Sequence, residues 1–281
     1  MWSRNKANLY IQDALDDFHY DPKALPSPIA QRKIYRNKLM LTHLIGFGGG
    51  AAGLSGTSWF FNNAGHLETP TDAGFQFAGG SFVVDFWARF ISLTNNEACV
   101  AQWDYSNDQR SWGVGIHPTA IKLNINTSGL DGGSVQKFQT VSALSNDTWY
   151  HIAVLSTGDN VYHFLDGSQQ GTEISSTEVL HNSTSPLSVG GNNIGPDNSR
   201  DDTVQGYLDE IRISKGTDRS WTGGFTPSTV EYSSDGNTSL LIHGSEVVGG
   251  GTFTESSSNT HTMTASGDAV QDTGVFKIAE L

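Results

Sequence analysis

Every second residue of SFVVDFWARFI (residues 81–91) is apolar: Phe82, Val84, Phe86, Ala88 and Phe90 alternate with Ser81, Val83, Asp85, Trp87 and Arg89. Side chains of an extended chain point to opposite faces in turn, so this run is a β-strand with one face in a core. The interleaved set carries Asp85 and Arg89, which predicts that the other face meets water. The same period recurs in AIKLNIN (120–126), in TWYHIAVLS (148–156) and in GYLDEIRIS (206–214). Within TWYHIAVLS, Trp149, His151, Ala153 and Leu155 oppose Tyr150, Ile152 and Val154, and His151 and His163 are expected to pair across neighbouring strands. Shorter strands are expected at 99–103, 111–117 and 188–189, and at 160–165, which runs into the hairpin-turn dipeptide Asp166-Gly167. Strands at this spacing, without intervening helices, build an antiparallel sandwich rather than a parallel α/β sheet.

Composition points the same way. Of the 281 residues 32 are glycine and only 16% are charged, a profile of short strands joined by polar turns. Cys99 is the single cysteine, so no internal disulfide can form, and in ACVAQW it reads as a small buried hydrophobe. No stretch is long and apolar enough to span a bilayer, and the start, MWSRNKANLYIQDALDD, lacks the apolar run of a secretory signal. A chain of this kind that works outside a cell is expected to leave by another route, such as a virus particle released by lysis.

The formal charge of −13 is unevenly spread. Residues 1–45 hold seven Lys/Arg against four Asp/Glu, and the remainder nine against 25. So acidic a body argues against nucleic acid as a ligand, and no membrane partner is expected. The basic arm, through Arg4, Lys6, Arg32, Lys33, Arg36 and Lys38, suits docking on an acidic partner, and on charge alone it equally suits a solvated arm. Four regions follow: an N-terminal arm (1–45) with a short helix over 5–18, a glycine-rich linker (46–58), a β-sandwich (59–238) and a C-terminal β segment (239–281).

Five segments carry a family resemblance: FFNNAGHLETP (60–70), SFVVDFWARF (81–90), NDTWYHIAVLSTGDNVYHFLDG (146–167), PLSVGG (186–191) and GYLDEIRISKG (206–216). In this order they resemble laminin-G-like, concanavalin-A-like domains. The resemblance implies an all-β, two-sheet antiparallel jelly-roll sandwich with a short, partly helical N-terminal arm. GGFTPSTVEYSSDGNTSLLIHG (223–244) is similar to repeats of bacteriophage tail-fibre and virion proteins, in which an FTP segment leads into the strand that opens the next unit. The sandwich is therefore expected to lack its usual opening strands, with residues 239–281 completing it or a neighbouring subunit. The resemblance implies a virion structural protein (fibre, decoration or other surface component). It would be homo-oligomeric and held to other virion proteins by its arm. A carbohydrate-binding, lectin-like module for attachment to cell-surface glycans is the alternative.

Catalysis is not expected. Retaining glycosidases on this architecture need two carboxylates on one surface, and no E-x-D-x-x-E run occurs. The nearest approach, Asp209-Glu210, places adjacent residues on opposite strand faces. Strict alternation puts Asp209 with Tyr207, Ile211 and Ile213, and Glu210 with Arg212, where the last two can pair. The family resemblance implies calcium as the one candidate cofactor, held by loop oxygens. Its candidate ligands are Asp209 and three residues of GPDNSRDDTVQG, Asp197, Asp201 and Asp202. Trp103, Tyr105, Trp112 and Trp221 are the candidate sugar-stacking residues, if exposed. The histidines show no zinc spacing.

Overall fold

The computed structural model describes residues 56–193 and 200–278. The whole basic arm, with Arg4, Lys6, Arg32, Lys33, Arg36 and Lys38, lies outside the described residues, as do Asp197 and the side chain of Asp201.

The strands are short and follow one another through turns. They are β1 (Ser58–Asn62), β2 (His66–Thr69), β3 (Phe82–Phe90), β4 (Glu97–Gln102), β5 (Trp112–His117), β6 (Ala120–Asn126), β7 (Ser134–Thr140), β8 (Trp149–Ser156), β9 (Asn160–Leu165), β10 (Ser168–Gln169) and β11 (Ile174–Ser175). They continue as β12 (Leu187–Val189), β13 (Asn192–Asn193), β14 (Arg200–Asp201), β15 (Gln205–Lys215), β16 (Thr238–Ile242), β17 (Thr252–Thr254), β18 (Thr262–Ser266) and β19 (Val270–Asp272). One sheet runs β10-β9-β8-β3-β15-β1-β19, with β16 also on β15 and β11 on β9. The facing sheet runs β17-β18-β2-β12-β4-β5-β6-β7, and β13 and β14 form a separate small ladder. The long-range order β8-β3-β15-β1 is a sandwich topology, since sequence neighbours are divided between the two sheets.

The core lies between the sheets. Phe86, Ile152, Val154, Leu208, Ile211 and Ile213 from the first sheet meet Leu67, Val100, Val114, Ile116 and Leu123 from the second, all inaccessible to solvent. Each such side chain contributes about 1.5–3 kcal/mol by leaving water. Cys99 is fully buried in the same core, and burial raises its thiol pKa well above the usual value. The Asp166-Gly167 turn forms as expected, both residues taking positive φ (49° and 76°) between β9 and β10.

Residues beyond 238 are built into both sheets of this sandwich. β16 pairs with β15, β19 with β1 and β18 with β2. Two close approaches join the early and late parts of the fold, and a third lies within the late part. A Cβ on Gly267 would fall 2.0 Å from the Ala64 carbonyl oxygen. Val275 O accepts from Ser58 Oγ, and Gln271 Nε2 donates to Gly244 O at 2.5 Å.

Strict alternation fails inside β15. The register against β3 slips between Asp209 and Arg212, and Glu210 takes φ 51°. This β-bulge inserts an extra residue and reverses the phase of the strand. Leu208, Ile211 and Ile213 all reach the core, whereas Asp209 faces away from it. The expected grouping of Asp209 with Ile211 and Ile213 is thus corrected. Glu210 and Arg212 do not pair; each has its own partner, His243 and Asp85 respectively.

Candidate functional site

β3, β8, β9 and β15 turn a second face away from the shared core. Val83, Ala153, Leu155 and Phe164 form a small apolar layer there, capped by Trp221 and Phe225 of the segment after β15. Trp221 stacks on Phe225 with ring centroids 3.7 Å apart and planes 12° apart. The Phe225 amide donates to Gly167 O, which ties the segment to the β9–β10 hairpin.

Under this cap lies a buried polar cluster. Arg212 makes two parallel hydrogen bonds to Asp85, from Nε at 3.0 Å and from Nη2 at 2.9 Å. His151 Nε2 lies 3.4 Å from Asp85 Oδ2 and 2.8 Å from the Tyr232 hydroxyl. The guanidinium also sits over the Tyr232 ring, 4.1 Å from its centroid. Burial by itself would raise the Asp85 pKa, but Arg212 and His151 hold it below the usual value. Burial and the Asp85 charge push the Tyr232 phenol well above its ordinary range. Asp85 is completely buried, contrary to the expectation that this face of β3 meets water. The covering segment, distant in sequence, is the reason. His151 and His163 point to opposite faces, His163 Nε2 lying 3.3 Å from Lys137 O of the facing sheet, so they do not pair.

Above the cluster the segment leaves an open groove of about 580 Å³. Trp221, Phe225, Arg212, Arg219, Tyr232 and Glu231 lie on its walls, with Ser220, Thr226, Ser228 and Ser233 beside them. Glu231 is the one carboxylate among the lining residues. Arg219 is fixed by Asp235, with Nη1–Oδ2 at 3.0 Å, and by the Ser214 hydroxyl at 2.9 Å.

The four aromatic residues expected to stack on sugars do not converge. Trp112 is fully buried and its indole donates to Phe75 O at 2.9 Å, so it belongs to the core and has no face for a ligand. Trp103 is buried as well, at 6% exposure, with its ring edge-on to Tyr105. Tyr105 is exposed and carries Arg110 over its ring at 5.1 Å. Trp221 alone of the four lies on the groove. The flanking Phe225 and Tyr232 escaped sequence reading, although the FTP triplet marks the first of them.

Asp209 and Asp202 are separated too. Asp209 is 1% exposed, and its Oδ2 accepts from the amides of Lys277 and Ile278 at 3.0 and 3.2 Å, which anchors the end of the described chain. Burial raises its pKa to about 7. Asp202 Oδ2 lies 3.5 Å from Asn192 Nδ2. Neither belongs to a group of three or more ligating side chains among the described residues; the group that does converge is Glu210, Glu231 and His243, with ligand atoms within 4.8 Å of one another.

Against known proteins, the family model of the concanavalin A-like lectin/glucanases superfamily, in its laminin-G form, matches residues 61–222. The chain belongs to that superfamily. No curated protein matches this superfamily member in sequence. A candidate carbohydrate-binding protein from Bacteroides ovatus is similar in structure with a TM-score of 0.58 at 13% identity, over 80% of this chain and 62% of that one. A native heptameric SAP-like pentraxin from Limulus polyphemus gives 0.45 at 13% identity, over 61% and 82%. The CBM40 of a Ruminococcus gnavus IT-sialidase, bound to α2,3-sialyllactose, gives 0.40 at 9% identity, over 50% and 82%. At such identities the likeness is one of fold. The sandwich described here spans less than two thirds of the length of the first of these proteins. Among the described residues no helix is long and apolar enough to cross a membrane.

Proposed function

We propose that this laminin-G-type sandwich is a carbohydrate-binding module and that the groove beside Trp221 is where it holds a glycan. The observation that carries the reading is the groove itself. Its volume of about 580 Å³ falls within the range of small-ligand sites, and it joins an aromatic wall to hydroxyl, guanidinium and carboxylate groups. Membership of the concanavalin A-like lectin/glucanases superfamily fits a saccharide ligand, and the carbohydrate-binding description of the Bacteroides ovatus relative supports binding. Binding is favoured over hydrolysis, because paired-carboxylate chemistry needs two acids across one groove and this one has Glu231 alone.

The test is a glycan array followed by calorimetry with Trp221→Ala and Tyr105→Ala. The groove reading expects Trp221→Ala to weaken binding at least tenfold and Tyr105→Ala to leave it unchanged. The reverse pattern would move the site to the Tyr105–Arg110 surface. Failure of the intact protein to hold any glycan at millimolar concentration would sink the reading.

Display of the module on a phage particle, anchored by residues 1–45, rests on the resemblance of residues 223–244 to virion repeats. Mass spectrometry of purified particles tests it. A copy number near that of the major capsid protein supports a decoration role, and a few tens of copies or fewer a fibre. Absence leaves a free glycan-binding module.

A further inference from the structure

Behind the groove wall three side chains from separate parts of the chain meet. Glu210 comes from the bulge of β15, Glu231 from the segment that covers the outer face, and His243 from the residue after β16. Glu210 Oε1 lies 2.8 Å from His243 Nδ1, and one atom from each of the three lies within 4.8 Å of the others. Glu210 is 1% exposed, whereas Glu231 and His243 are partly open. Ligands bound about 2.1 Å from one tetrahedral ion stand roughly 3.4 Å apart. Side-chain movements on the order of 1 Å therefore bring the three onto a shared ion.

The Glu246 carboxylate is taken up by the His243 and Gly244 amides, at 2.6 and 2.9 Å. Glu210 and Glu231 are the carboxylates that converge with the imidazole. Glu231 also lines the groove, so an ion here has a path in and room for exchangeable water.

We propose that Glu210, Glu231 and His243 bind a divalent first-row transition ion of the zinc class. Imidazole among the ligands selects against calcium, which takes six to eight oxygens. This site stands apart from the glycan reading, because its test contains no saccharide.

Tag-free full-length protein, stripped with a chelator and dialysed, is titrated with Zn²⁺ and separately with Ca²⁺ by calorimetry. Co²⁺ absorption reports the ligand field. One Zn²⁺ per chain is expected, weakened at least tenfold by Glu231→Gln and by His243→Gln, with circular dichroism unchanged. Glu231 is partly exposed, so its variant folds even if the His243 variant does not. No Zn²⁺ binding at millimolar ion, equal binding by wild type and Glu231→Gln, or preference for Ca²⁺ over Zn²⁺ would each overturn the proposal.

Discussion

Two buried acids illustrate how neighbours decide what a residue does. Asp85 keeps its charge because Arg212 is held beside it in a bidentate pair. Removing the guanidinium strands that charge in a dry site. Arg212→Met is expected to destabilise the fold by roughly 3–5 kcal/mol, measured by denaturant unfolding at pH 7. A loss under 1 kcal/mol would mean that the cap of Trp221 and Phe225 opens to admit water. Asp209 has no such cation among its hydrogen-bond partners; backbone amides hold one oxygen and burial lifts its pKa to about 7. A carboxyl with a raised folded pKa binds more protons folded than unfolded. The stability it gives is therefore full below about pH 4 and fades as pH rises through 7. Asp209→Asn should be more stable than wild type at pH 8, by roughly 1–3 kcal/mol, and close to it at pH 4. Parallel melting curves at the two pH values check this, and an equal difference at both would show that ionisation is not the cause.

At the scale of elements, the informative ones are the bulge in β15 and the strands after residue 238. The bulge lets one strand supply Leu208, Ile211 and Ile213 to the core while turning Arg212 under the groove and Glu210 towards His243. The late strands β16, β18 and β19 cover β15, β2 and β1. Ending the chain at Asn237 removes all three and bares the backbone groups they satisfy, which makes aggregating edges. Such a truncation is expected to be insoluble or oligomeric by size-exclusion chromatography. A soluble monomer with native circular dichroism would show that the early strands suffice.

At the scale of the whole molecule, the described residues within 53–281 form one compact unit. Expressed alone, this stretch is expected to melt in one transition at the same temperature as the full chain. A lower or split transition would show that the basic arm contributes to the sandwich. Three groups add to the pH response. Glu97, raised by burial to about 8, follows the same sign as Asp209. His163, lowered by burial to about 4, acts oppositely, costing stability as pH falls from 6.5 towards 4. His243 is raised, burial being outweighed by Glu210, so its contribution fades as pH rises past 6.5. Thermal stability should thus peak in mildly acidic buffer and fall between pH 6 and 9. A flat profile across that range would show that burial does not raise these acids.

The two-residue period of residues 81–91, 120–126 and 148–156, together with the Asp166-Gly167 turn, determined the all-β sandwich from the sequence alone. Alternation is a local property of an extended backbone, and it fixes which side chains enter a core. It was silent on β7, whose SVQKFQT is a half-exposed polar edge. It could not show that Asp85 is covered, because the cover comes from residues 217–233. It also misread β15, since one extra residue in a bulge reverses every face beyond it. The groove, and the meeting of Glu210 with Glu231 and His243, exist only where that bulge, the covering segment and β16 come together, so tertiary packing alone decided them.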